Sequence, residues 1–170
     1  MKKILFLSLV LLLGQTTYSQ NNNTSDTGVV IDGIRWATRN VYTAGTFAEH
    51  PESYGGFFNW TSRNVCPEGW RVPTRAELHL LHQANSVWTT RNGVNGRLFG
   101  NAPNQIFLPA VGDRDTIGMG RLNDTDNRGF YWSDSKGNTT LSWILQISNE
   151  GTRIKFGHRA RGFSIRCVAE

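Results

Sequence analysis

From Val29 onward the chain keeps a helical period in one stretch only, and turn-forming residues break it almost everywhere else. That stretch begins at Thr74. Thr74-Arg75-Ala76-Glu77 has the form of a capping box, in which the Thr hydroxyl serves the amide three residues on and Glu77 returns the bond. Pro73 stands just outside, and Leu78, Leu81 and the Leu80/Ala84 pair follow at helical spacing, so a helix is expected over about 75–85. The rest reads as short strands. Asp32-Gly33, between 29–31 and 34–38, is a two-residue hairpin signal because a type I′ turn needs positive φ. Residues 57–60, 98–99, 106–108, 130–132, 141–147 and 163–168 are further strand candidates. In 141–147 the odd positions share one face, as in a half-buried antiparallel strand. Phe163, Ile165 and Cys167 do the same in the last strand, which turns Ser164 and Arg166 outward. The expected class is α+β, with one helix, short antiparallel strands and long polar loops of the kind that carry binding surfaces.

The N-terminus narrows the compartment. Met1-Lys2-Lys3, the apolar run 4–13 and the polar 15–19 have the layout of a secretory leader, with Ser19 before the expected cut. The apolar run is about half the 20 residues a membrane span requires. It contains no cysteine, so no lipid anchor of the N-terminal-Cys kind is expected. Without Lys2 and Lys3 the balance is 16 basic to 13 acidic groups, and no dense basic stripe marks a nucleic-acid surface. Residues 20–28 read as a polar, disordered lead-in, followed by one domain over 29–170. An exported chain meets an oxidising environment, so Cys66 and Cys167 are expected to form a disulfide.

No catalytic motif stands out: Gly-x-Ser-x-Gly, His-Glu-x-x-His and a phosphate-cradling glycine loop are absent. The histidines are His50, His79, His82 and His158. His79 and His82 lie three apart on the expected helix, and two ligands do not make a metal site. Asn123-Asp124-Thr125-Asp126-Asn127 is dense in oxygen but lacks EF-hand spacing, and reads as a solvated turn. Neither a catalytic group, a metal nor a cofactor is expected. Trp36, Trp60, Trp70, Trp132 and Trp143 fall in strand-like phrases and are assigned to the core, which leaves Trp88 as the tryptophan for a sugar-stacking surface. Arg153, Lys155, His158, Arg159 and Arg161 cluster near the C-terminus, and read equally as a cationic rim for an anionic partner and as a solvated loop.

Six phrases, in order, carry a resemblance. They are Tyr54-Gly55-Gly56-Phe57-Phe58-Asn59-Trp60, Cys66-Pro67-Glu68-Gly69-Trp70-Arg71-Val72-Pro73-Thr74, Asn95-Gly96-Arg97, Ile106-Phe107-Leu108-Pro109-Ala110-Val111-Gly112, Gly129-Phe130-Tyr131-Trp132-Ser133 and Gly162-Phe163-Ser164-Ile165-Arg166-Cys167-Val168. Together they resemble the Fibrobacter succinogenes major paralogous domain. The Trp-Arg-Val-Pro-Thr phrase is also similar to formylglycine-generating enzymes, which implies a C-type-lectin-like fold. A third similarity, to the variable proteins of diversity-generating retroelements, implies display residues at Lys136, Asn138, Asn149, Arg153, Lys155, His158 and Arg159. The function expected is an exported, non-catalytic module that binds a glycan or protein at the bacterial envelope or surface. A diversified receptor, a structural subunit of a surface assembly and an enzyme akin to the formylglycine-generating group are the alternatives.

Overall fold

The computed structural model describes residues 25–116 and 120–170. The expected leader, 1–19, and positions 20–24 of the lead-in lie outside the described residues. At the start of the described chain, Asp26 is already anchored. Its carboxylate accepts hydrogen bonds from the amides of Gly28 and Thr38, the Thr38 hydroxyl and Nε of Arg39. Order therefore begins before Val29.

In chain order the elements are β1 (Val29–Ile31), β2 (Ile34–Trp36), a 3-10 turn (Trp60–Ser62), β3 (Trp70–Arg71), α1 (Arg75–Gln83), β4 (Ser86–Arg91), β5 (Val94–Asn101), β6 (Asn104–Pro109), β7 (Asp113–Arg114), β8 (Leu122–Asn123), β9 (Arg128–Lys136), β10 (Leu141–Ser148), β11 (Gly151–His158) and β12 (Val168–Ala169). The strands form four sheets, ordered β1-β2-β12-β3, β11-β10-β9, β4-β5-β6 and β7-β8. Every pairing between these strands is antiparallel. The capping box at Thr74 and Glu77 forms as the sequence indicates, and the helix stops at Gln83, two residues short of the expected end.

Two expectations are corrected. The α+β, C-type-lectin-like assignment gives way to a β-rich fold, because twelve strands in four small sheets accompany one nine-residue α-helix among the described residues. Much of the chain expected as long polar loops is hairpin instead. Asn92 and Gly93 take φ of 47° and 81°, the geometry of a two-residue turn, and join β4 to β5. Residues 151–158 pair with β10 along its full length, from Ser148↔Gly151 to Leu141↔His158. Charged side chains at alternate positions disguised this strand, since a solvated face requires no apolar alternation.

The second correction concerns the last segment. Ser164 and Arg166 are buried, not turned outward. The chain from 163 to 168 is enclosed on both sides: Ala37 and Val41 donate to the carbonyls of Cys167 and Ile165, and Trp132 donates to that of Ser164. Arg166 fills the gap with a fork onto neutral acceptors, Asn40 Oδ1 at 2.8 and 3.0 Å, Phe107 O at 3.0 Å and Ala37 O at 3.2 Å. Burial pushes its pKa down to about 10, so the guanidinium stays charged at neutral pH.

The β9–β11 sheet divides the core. On one face Tyr131, Leu145 and Ile147 pack with Leu78 and Leu81 of α1. On the other, Phe130, Trp132 and Ile144 pack with Phe163, Trp60 and Cys167. Both faces of β10 are therefore buried along much of its length, beyond the half-burial its alternation suggested. The Cys66–Cys167 disulfide lies in the second cluster and joins the segment before β3 to the one before β12.

Candidate functional site

Two clefts open beside the β9–β11 sheet and share a wall made by Asp124 and Arg128. The first, about 260 Å³, lies on the sheet face opposite α1. Its floor is apolar. Phe130 and Phe163 stack with ring centroids 5.3 Å apart, and Ile144 completes the surface. Gly157 keeps the floor open: a Cβ there would lie 2.5 Å from Phe163 Cε2 and 3.0 Å from Ile144 Cγ2. Its rim is charged. Lys155 Nζ lies 5.6 Å from the Phe130 ring centroid and donates to Gln146 Oε1 at 2.8 Å. Burial lowers the pKa of this amine, and the charges of Arg128, Arg153 and Arg161 act in the same direction. Arg161 Nε donates to Asp113 Oδ2 at 2.7 Å, while its Nη2 reaches both Asp113 and Asp115. The Asp113 carboxyl is nevertheless held above the usual range, because burial outweighs the attraction of Arg161.

The second cleft, about 380 Å³, is lined by Trp88, Asn95, Asp126, Asn127, Ser148, Asn149 and Glu150 besides the shared wall. Trp88 is half-buried. Its place is set by Arg97, its partner across the β4–β5 pair, whose guanidinium donates to the carbonyls of Ser148 and Asn149 and to Ser86. Arg97 thereby draws the β10–β11 turn against the β4–β5–β6 meander. Asn95 Nδ2 donates to Asp126 O at 3.2 Å, and the Tyr54 hydroxyl donates to Asp126 Oδ1 at 3.1 Å. Asp124 and Asp126 take left-handed φ of 56° and 64°, which curls the turn so that Arg128 Nη1 meets Asp124 Oδ2 at 3.4 Å.

The expected site residues separate into two groups. Lys155 and His158 line the first cleft, and Trp88 and Asn149 the second. Arg153 is exposed on β11 and lies 3.6 Å from Glu150. Like Arg153, the other three line neither cleft. Lys136 is exposed at the end of β9. Asn138 holds the β9–β10 turn, its Oδ1 accepting from the amides of Thr140 and Leu141. Arg159 donates to Ser142 Oγ and Thr139 O and stacks 4.0 Å from the centroid of Trp60. Arg128, Asp113, Asp124 and Asn95 are cleft residues the sequence reading did not select. The polar turn at 123–127 is the available signal, since it carries Asp124, Asp126 and Asn127 into the second cleft. Among the described residues no group of three or more His, Cys, Asp or Glu converges as a metal site.

No helix among the described residues is long and apolar enough to cross a membrane. No curated protein and no solved structure matches the chain. A family model does match, over residues 14–169, so the chain belongs to the Fibrobacter succinogenes major domain family.

Proposed function

We propose that this protein is an exported, non-catalytic module that binds a glycan in the groove formed by the two clefts. The observation that carries this is the composition of the larger cleft. Trp88 stands there among Asn95, Asp126, Asn127 and Asn149, an aromatic face beside amide and carboxylate groups. Sugars present the matching surface, with C–H faces that stack on an indole and hydroxyls that need both donors and acceptors. Export is supported by the leader-like N-terminus and by a disulfide, which persists in an oxidising compartment. The non-catalytic reading is supported by the groove's own side chains. Ser148 Oγ is turned to Gly151 O and His158 Nδ1 accepts from the Ala160 amide, so neither is arranged as a nucleophile with its base.

The test is a glycan array probed with the purified chain and with W88A, in parallel with a protein-ligand screen. The expected result is retention on a glycan class and a loss of roughly tenfold or more for W88A, with unchanged circular dichroism. Binding to proteins alone, or glycan binding indifferent to W88A, would overturn it.

A further inference from the structure

We propose that the glycan bound in this groove is acidic, and that the cleft floored by Phe130 and Phe163 is the subsite for its carboxylate or sulfate, with Lys155 as the charge that receives it. This rests on the groove being a glycan site and adds which chemical class of glycan it takes.

Continuity comes first. Asp124 and Arg128 line both clefts, so the two adjoin, and a saccharide long enough to pass this shared wall from Trp88 would reach the smaller cleft. That cleft, at about 260 Å³, falls below the roughly 300–1,000 Å³ of a pocket that takes a whole ligand, and suits one unit or one substituent.

Charge decides what the substituent is. Arg161 is engaged with Asp113, and Arg128 with Asp124. Lys155 forms no salt bridge among the described residues; its amine bonds to the neutral Gln146 side chain. Arg153, two residues earlier on the same face of β11, is likewise engaged with Glu150, so the unpaired positive charge of the cleft is that of Lys155. An ammonium offers donors only, whereas a sugar hydroxyl is both donor and acceptor, so an anionic oxygen is the better match. The apolar floor sharpens the preference, since Phe130, Ile144 and Phe163 offer no competing dipole and lower the local dielectric. The Lys155 side chain is exposed at its end and partly desolvated against the cleft, where the charges of Arg128, Arg153 and Arg161 outweigh that of Asp113, so an incoming anion offsets a repulsion already present in the free protein.

The test uses ¹⁵N-labelled full-length mature protein titrated with three probes: glucuronate, its neutral methyl ester and inorganic sulfate. Glucuronate is expected to shift the amides of Gly157, His158 and Phe163, and the ester to bind at least about tenfold more weakly, as a charged hydrogen bond implies. Sulfate shifting the same amides would extend the subsite to sulfate esters; sulfate inert beside active glucuronate would restrict it to carboxylates. K155Q should abolish the preference for acid over ester, and K155R should restore most of it. Equal binding of acid and ester, or a preference unchanged in K155Q, would overturn the inference. If W88A still abolishes binding of a neutral glycan in that case, the glycan-binding reading stands while its acidic specificity fails. If no glycan, acidic or neutral, shifts any groove amide, both fail.

Discussion

Arg97 Nη2 donates to the carbonyl oxygen of Ser148 at 2.9 Å, joining β5 to the end of β10 across 51 residues of sequence. The guanidinium is almost wholly buried, and its partners are neutral oxygens: the Ser148 and Asn149 carbonyls and the Ser86 carbonyl and hydroxyl. Desolvation lowers its pKa, and an arginine guanidinium stays charged in proteins. A buried charge held this way is expensive to leave half-satisfied. R97M strips several carbonyls of their donor and is expected to cost about 2–3 kcal/mol in urea denaturation. Because the same clamp sets Trp88 beside Asn149, R97M should also weaken glycan binding under conditions where the protein remains folded.

The disulfide closes a loop with a sequence separation of 101 between Cys66 and Cys167. A loop of that size is worth up to about 4.7 kcal/mol in the chain-entropy model, through restriction of the unfolded chain. The double variant C66S/C167S is therefore expected to lose about 2–5 kcal/mol. Thermal unfolding with and without reductant checks this; a Tm insensitive to reduction would show that the surrounding core holds the two segments without the bond.

At the start of α1 one carboxylate serves two partners. Glu77 takes a two-oxygen fork from Arg71, at 2.6 and 2.9 Å, and also accepts from the Thr74 amide at 2.7 Å. Its pKa is lowered, first by the Arg71 hydrogen bonds and then by those from Thr74, against the opposing effect of burial. A carboxylate with a depressed folded-state pKa stabilises the fold fully above its unfolded-state pKa, ordinarily 4.5. That stability is lost as pH falls through the lower folded-state value. E77Q should cost about 1 kcal/mol at pH 7, and the difference from the parent should shrink as the pH is lowered below 4.5. Urea midpoints measured between pH 7 and pH 3 provide the check.

The legible parts of this fold were local. A capping box is written in four consecutive residues, Thr74 to Glu77, and Asp32-Gly33 announces its hairpin in two. Asn92-Gly93 carries an equally local signal, and its turn starts the meander that holds Trp88. The fold class failed for a different reason. A strand such as β11 owes its existence to pairing with β10, and its exposed Arg153, Lys155 and Phe156 imitate a loop. The groove was only half legible for the same reason. Trp88 and Lys155 could be chosen by residue type. Nothing near Asp124 or Arg128 shows that they wall both clefts, because that depends on contacts across sheets. The inward orientation of Arg166 was not legible, because the apolar–polar alternation of 163–167 imitates a strand with one solvated face while both of its faces are enclosed.

Lys155 links the groove to stability, with a sign opposite to that of Glu77. Its pKa is lowered by burial and by Arg128, Arg153 and Arg161, so the folded state disfavours the charged form. The resulting penalty is present in full below the depressed folded-state pKa. It is relieved as pH rises through that value towards the ordinary 10.5 of the unfolded chain. K155M retains the apolar stem over Phe130 and removes the charge, so it should raise the Tm. Solvent screening at the exposed end of the side chain limits the gain to the order of 1 °C. The gain should fade above the folded-state pKa, where the parent's amine is already neutral. The same variant should lose the preference for acidic over neutral sugar. In the parent, that preference should decline on the alkaline side at a lower pH than an ordinary lysine would give. A K155M protein less stable than the parent at pH 7 would show that the amine's bond to Gln146 outweighs its lost solvation, and that the charge is held for structure instead of for a ligand.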